Sequence, residues 1–375
     1  MYAATAHASV FMPNLAGIGI KTQQIFLNSN CFDDFIKIEK PSVVLFDRYT
    51  AEEQFGWRVG EQCPNCIKIL DTEDLHFLRK ARQESIKKFG NLEHINLFSE
   101  VAKREIASIL RSDLSLIISS YEIDLLYQQF KINPEILCYL PFLYDKISSD
   151  HISKLPTFEA RKDCAFVGNF FHEPNLDAVH QLKKHIWPLI RKLDNQLILN
   201  IYGAYMPQKI KQLNNAREGF LVHGRAENIT TVLKNARLLL APLRFGAGIK
   251  GKLIEAQQQG TPSITTPIGA EAMSDNMLWS GCIASKNDDF AQDAVNFYNQ
   301  KEEWLIAQEN GFKIFNSRYN RLEKELVFKD KLRFISTNLE HHRQQNFLSS
   351  ILNHHLLQST KFMSKWINEK NKPLH

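Results

Sequence analysis

Short, continuous apolar runs alternate with amphipathic stretches along most of this chain, and the alternation runs through twice. In the first half "SVVLFDR" (42–48), "CIKIL" (66–70) and "LSLIISS" (114–120) have strand length and end in charged or polar residues. Runs of this kind belong to strands covered on both faces, as in a parallel sheet. Between them, "EDLHFLRKARQESIKKF" and "EVAKREIASILRS" repeat apolar residues at helical spacing, with charges on the opposite face. "PEILCYLPFLYD" (134–145) closes this half, and the polar stretch from Lys146 to Lys162 reads as a linker. The second half restarts with "CAFVG" (164–168) and a helix "PNLDAVHQLKKHIWPLIRKL". "LILNIYG" (197–203), "FLVHG" (220–224), "RLLLAPL" (237–243) and "PSITT" (262–266) then read as strands, with "ITTVLKNA" and "GKLIEAQQQG" as helices. Parallel strands need helical crossovers. The pattern therefore predicts an α/β chain of two Rossmann-like, doubly wound domains, 1–147 and 160–330, followed by a basic helical tail, 331–375.

A length of 375 residues suits two cores rather than one. No apolar run reaches 18 residues, so no transmembrane helix is expected. "MYAATAHASVFM" lacks the basic start and compact apolar centre of a signal peptide, which points to the cytoplasm. Cys63 and Cys66 form a lone CxxC with no second pair at a matching interval, and "NHH" (353–355) lacks companions at ligand spacing. No metal is expected, and the six cysteines read as reduced. The net charge of +5 is unevenly placed. From residue 331 onward seven Lys/Arg (331, 333, 343, 361, 365, 370, 372) face two Glu (340, 369), which is +5 for the tail and zero for the rest. A basic tail suits either an anionic membrane surface or a solvated helix face.

"RLLLAPL" runs straight into "RFGAGIKGKLIEAQQQG". In an open α/β sheet, ligands sit beyond the carboxyl ends of the strands, and a glycine turn before a helix lets backbone N–H groups approach an anion. Gly246 and Gly248 make that room, while Arg244, Lys250 and Lys252 supply charge. Lysines in a helix's first turn work against its dipole, a cost that a bound anion would offset. Glu255 stands three residues past Lys252, on the same helix face, where a carboxylate can accept from two vicinal hydroxyls such as a ribose's. The competing reading is a plain βα turn with a Lys252–Glu255 surface pair.

"PLRFGAGIKGKLIEAQQQGTPSITTPIGAEAM" resembles the donor-binding segment of group 1 (family 4) glycosyltransferases of the GT-B fold. "FVGNFFHEPNLDAV" and "DTEDLHFLRKAR" resemble other segments of that family in the same order, so the likeness spans about residues 40 to 320. The resemblance implies two Rossmann-like domains facing across a cleft. It also implies retaining transfer of a sugar from a nucleotide-diphosphate sugar to a hydroxyl acceptor, such as a glycan or lipid-linked precursor. No cofactor, metal or nucleic acid is implied, and a cytoplasmic place with peripheral contact to the inner face of an anionic membrane remains open. By position, Glu255 is expected on the ribose, Lys250 and Lys252 by the phosphates, Gly168 and Asn169 by the diphosphate, and Arg225 near the base. The donor site is thereby placed wholly within 160–330. His76 and Asp71 face the sugar, and with Lys250 they form the expected catalytic set.

The chain departs from the family at three points. Ala247 stands where the first glutamate of the E-x7-E motif belongs, and Ala272 stands where glycine is usual in "GAEAM". Residues 1–40 match only the stretch after the family's opening strand, glycine loop and helix. His76 can equally be an early helix residue bonded to Asp74 or to backbone, and Asp71 a turn cap. Asn169 and His172 can be turn residues, and Arg48 a solvated loop charge. A nucleotide-sugar epimerase of the same fold and a non-catalytic nucleotide-sugar-binding remnant are the rival readings. The tail's last helix is expected to cross back and brace the first domain through apolar pairs at 347/348, 351/352 and 362/363.

Overall fold

The computed structural model describes residues 1–6, 12–355 and 357–370. The side chain of His355, position 356 and Lys372 lie outside the described residues. Every strand pairing is parallel. Strands β1 (Tyr2–Thr5) and β2 (Lys21–Gln24) form a two-stranded ribbon by themselves. The first domain's sheet holds β3 (Val43–Asp47), β4 (Ile67–Asp71), β5 (Leu114–Ile117) and β6 (Leu137–Tyr139), side by side in chain order. The second sheet holds β7 (Lys162–Val167), β8 (Leu199–Tyr202), β9 (Phe220–Gly224), β10 (Ala236–Ala241), β11 (Ser263–Thr265) and β12 (Gly281–Ile283). Its order is β12-β11-β10-β7-β8-β9. Among the described residues the reversal that makes a sheet doubly wound therefore occurs in the second domain, between β7 and β10. That switch point opens a crevice beyond the carboxyl ends of those two strands.

The apolar runs sit as expected in β4 and β5, which are buried along nearly their whole length. β3 differs. It forms one edge of its sheet, and Val43 and Leu45 on it are exposed. An edge strand has no neighbour to cover its outer side, and an apolar run alone does not distinguish edge from centre. The helices carry readable ends. Ser99 accepts from the Ala102 N–H at the start of Glu100–Arg111, and Gly90 closes His76–Phe89 in the left-handed region at φ 77°.

The chain leaves the second domain at Tyr319, whose ring is fully buried there. Tyr144 of the first domain donates its N–H to the Tyr319 carbonyl, and Arg321 donates back to the Tyr144 carbonyl, both at 2.8 Å. The helix Arg321–Thr337 then packs on the first domain, with Ile335 buried against Ile67 and Leu114. The crossing at 319–321 precedes the start at 331 that the charge count placed for the tail.

The tail reaches the first domain, but not through the expected apolar pairs. Phe347, Leu348, Phe362 and Met363 are all more than half exposed, and of the pair 351/352 Ile351 is exposed and Leu352 partly buried. Beyond Ile335 and Leu339, polar groups make much of the contact. His342 Nε2 lies 2.7 Å from the Asp113 carbonyl, Arg343 Nε donates to the Asp113 carboxylate at 2.7 Å, and Arg58 donates to Ser364 Oγ at 2.8 Å. The amphipathic period was legible, but which side faced inward was not. The partner surface here is a set of carbonyls and carboxylates, so polar residues are the ones that pair when buried.

Candidate functional site

A cleft of about 470 Å³ lies between the carboxyl ends of the two sheets. On the first-domain side it is lined by Asp47 at the end of β3 and Arg48 after it, Glu73, Asp74, His76 and Arg79 after β4, and Ile118 after β5. On the second-domain side it is lined by His172, Pro174 and Asn175 after β7, and by Leu243, Phe245 to Ala247 and Ile249 to Lys252 after β10. Both flanks of the second sheet's switch point thus open into one cavity.

The loop after β10 is shaped by its glycines. Gly248 has φ 63°, a conformation that costs a side-chain-bearing residue about 1–2 kcal/mol. A Cβ on Gly248 would stand 2.8 Å from the Asp74 Cβ of the first domain. Lys250 caps the helix Gly251–Gln258 in extended backbone, and its Nζ donates to the Gly248 carbonyl at 2.8 Å. Lys252 lies in the first turn, donates to Asn175 Oδ1 at 2.6 Å and sits 4.2 Å above the Phe166 ring. Burial pushes Lys250 down to about 8, against the pull of Glu271, Glu122 and Asp74, and pushes Lys252 down to about 7, against Glu255. Two ammonium groups held this far out of water are poised to recover charge when an anion arrives. Burial also raises the Glu255 carboxyl, and Lys252 lowers it. Lys252 takes its hydrogen-bond partner from Asn175, so the simple surface pair with Glu255 does not describe it.

Of the remaining second-domain candidates, Gly168 follows β7 against the Asn175 side chain, with no room for a Cβ. The Asn169 carbonyl accepts from Asn175 Nδ2 at 2.7 Å. Arg244 does not line the cleft. Its guanidinium grips Asp177, with Nε–Oδ2 at 2.8 Å, so its charge is partly neutralised on the helix Glu173–Gln181. Arg225 is exposed in the turn after β9 and also lies outside the cleft lining.

In the first domain His76 lines the cleft as the opening residue of its helix. Its Nδ1 lies 3.0 Å from the Asp74 carbonyl, the bond that the structural alternative anticipated. Burial lowers its pKa, but Glu105 and Asp74 raise it by more, so the net shift is upward. Asp71 does not line the cleft. Its carboxylate accepts the Glu73 N–H at 3.2 Å and serves as a turn cap. Arg48 is a solvated charge, as the alternative held, but it also lines the cleft in the left-handed region at φ 67°, paired with Asp47. Glu73 shares that conformation at φ 62°. Two strained residues side by side at the ends of β3 and β4 are the kind of outlier that marks a site.

Sequence reasoning did not find Asn175, which links the loop after β7 to Lys252, or Arg79, whose Nη1 lies 2.6 Å from Asp74 Oδ2. Both lie inside ordinary helical patterns, where nothing in the composition separates them from their neighbours. The Gly246–Gly248 turn, expected to serve a donor site within 160–330, is also held from the first domain. Arg82 donates to the Gly246 carbonyl at 2.8 Å, and the Gly248 N–H donates to Glu122 Oε1 at 2.8 Å. Ala247, at the missing glutamate's position, packs into the first domain's core. Ala272, where glycine was expected, takes φ 58°, which accounts for the usual residue. Among the described residues no group of three His, Cys, Asp or Glu is placed to hold a metal, and no helix is long and apolar enough to cross a membrane.

Residues 161–300 match the family described as Glycosyl transferases group 1. No curated protein matches the chain by sequence. A glycosyltransferase from Rickettsia africae ESF-5 is similar in structure with a TM-score of 0.63 at 10% identity, over 90% of this chain and 90% of that one. Anabaena HepE, solved with UDP and glucose, has a TM-score of 0.64 at 12% identity, over 88% and 91%. S. aureus TarM, solved with UDP and alpha-GlcNAc-glycerol, has a TM-score of 0.52 at 13% identity, and this chain spans 55% of its length. Likeness at these identities shows the fold, two facing α/β domains of the GT-B type.

Proposed function

From the match of residues 161–300 to the group 1 glycosyltransferases, we propose that the chain transfers a sugar from a nucleotide-diphosphate sugar to a hydroxyl acceptor with retention of configuration. One observation carries the reading. A glycine turn, a helix N-terminus and two partly desolvated lysines converge at a topological switch point, facing the first domain across a cleft. The diphosphate is assigned to Lys250, Lys252 and the N–H groups opening the helix Gly251–Gln258, whose dipole adds about half a positive charge. Glu255 is assigned to the ribose hydroxyls, and Gly168 and Asn169 to the edge of the diphosphate. The sugar then lies toward His76, Arg48 and Arg79. Charge develops on the diphosphate as the glycosidic bond breaks, and preformed cations at that spot stabilise the transition state more than the ground state. The UDP found with HepE and TarM supports uridine nucleotides as the first donors to try. Transfer of a radiolabelled sugar from a panel of UDP- and GDP-sugars to lipid extracts and oligosaccharides tests the reading. Donor binding without transfer or hydrolysis would favour the non-catalytic alternative.

A second observation bears on the acceptor. The outer face of the last helix carries Phe362, Met363 and Trp366, each more than half exposed, with Lys365 and Lys370 exposed beside them and Glu369 as the one acid. Aromatic and aliphatic groups interleaved with lysines suit the headgroup region of an anionic bilayer. Two copies packing through this face would instead oppose like charges. We therefore propose a lipid-linked acceptor, met at a membrane surface to which the tail docks peripherally.

A further inference from the structure

Resting on the donor reading above, we propose that Arg82 and Glu122, both of the first domain, are the positioning residues that set the donor-binding turn of the second. The two grip opposite ends of one three-residue turn. Arg82 Nη1 donates to the Gly246 carbonyl at 2.8 Å, while the Gly248 N–H donates to Glu122 Oε1 at 2.8 Å. Each is itself anchored. Arg82 is buried and makes two bonds to Glu271, at 2.7 and 2.9 Å, and Glu122 Oε1 also accepts the Leu75 N–H at 3.0 Å. Ala247, between the glycines, packs against the first domain's core and also lines the cleft. With Ala247 in place of the family's glutamate, Glu122 brings a carboxylate to the same turn from the other domain. The direction of the Gly248 amide and the reach of Lys250, whose Nζ bonds the Gly248 carbonyl, then depend on the two domains being closed together.

The chemistry of Glu122 sharpens the inference. Its side chain is fully buried, and its second oxygen, Oε2, has no partner among the described residues. A carboxylate left this way carries a heavy desolvation cost, whereas a carboxylic acid does not. Burial and then Asp74 push Glu122 up to about 8, against the two backbone N–H groups and Lys250. The closed arrangement therefore binds a proton that an open one releases. Closure is strongest at acid pH, weakens as pH rises from the ordinary carboxyl range, and levels off above about 8. A residue that only fills space would give no such dependence.

Hydrogen exchange on the full chain tests this without any donor. In Glu122→Ala, the segment 244–252 should exchange at least tenfold faster than in the natural protein. In Glu122→Gln, which keeps an acceptor for both N–H groups and cannot ionise, exchange should stay within about twofold. Corrected for intrinsic rate, the protection of that segment should fall between about pH 5 and 8 in the natural protein and stay level in Glu122→Gln. Arg82→Lys, which keeps charge and loses the fork, should also speed exchange there and serves if Glu122→Ala does not fold. Unchanged protection in Glu122→Ala, or an equal pH slope in Glu122→Gln, overturns the assignment. Titration of the same variants with UDP then reports separately on the donor reading. If the natural protein binds no nucleotide while exchange behaves as stated, the turn is held as inferred and the donor reading fails instead.

Discussion

Lys252 donates to Asn175 at 2.6 Å, and the amide nitrogen of the same Asn175 donates to the Asn169 carbonyl at 2.7 Å. One side chain thereby joins the loop after β7 to the helix after β10, the two walls of the second sheet's crevice. Asn175→Ala should cost about 1–3 kcal/mol of stability, because it leaves a desolvated ammonium without an acceptor. A bound diphosphate would supply that acceptor, so saturating UDP should raise the melting temperature of the variant more than that of the natural protein. Equal shifts in both would place Lys252 away from the nucleotide.

Donor affinity should fall with rising pH. The free protein holds Lys252 at about 7 and Lys250 at about 8, and a diphosphate beside them raises both. Below about pH 7 both are already charged and binding is strongest. Above that, binding must take up a proton, so affinity drops by up to tenfold per pH unit for each lysine until the pKa of the complex is reached. Calorimetry in buffers of different ionisation enthalpy would detect the uptake, and a flat profile from pH 6.5 to 9 counts against both lysines.

Glu255→Gln should weaken nucleotide-sugar binding about tenfold or more, since charged hydrogen bonds contribute about 1.5–3 kcal/mol and an amide oxygen accepts less strongly. The corresponding 2′-deoxyribose donor should lose less affinity for the variant than for the natural protein. Equal losses would remove Glu255 from the ribose.

The tail makes two separable predictions. Arg343 bonds the buried Asp113 through Nε at 2.7 Å and Nη2 at 2.9 Å, so Arg343→Met should destabilise the fold. The side chain is partly exposed, and screening brings the cost to about 2 kcal/mol. Phe362→Ser with Trp366→Ser should instead leave the melting temperature nearly unchanged and abolish retention on acidic vesicles at low salt. Retention that survives this pair, or that ignores salt, would move the membrane contact elsewhere.

Much of this protein is determined by its sequence alone. Continuous apolar runs such as "RLLLAPL" and "LSLIISS" read as covered strands of a parallel α/β layer, and the glycines after β10 mark a tight turn before a helix, because these are local requirements of backbone and burial. Tertiary structure decided what depended on distant partners. Arg244 turned to Asp177 and Asp71 became a turn cap because nearby groups satisfied them first. Arg48, Arg79 and Asn175 entered the cleft because strand ends from two domains meet there, and Arg82 and Glu122 found the glycine turn across 164 and 126 residues of chain. The tail shows the same division. Its helical period was written in the sequence, but its inward face was chosen by the carbonyls and carboxylates of the surface it met, and hydrogen-bond pairing at a buried contact outweighed the burial of Phe362 and Trp366.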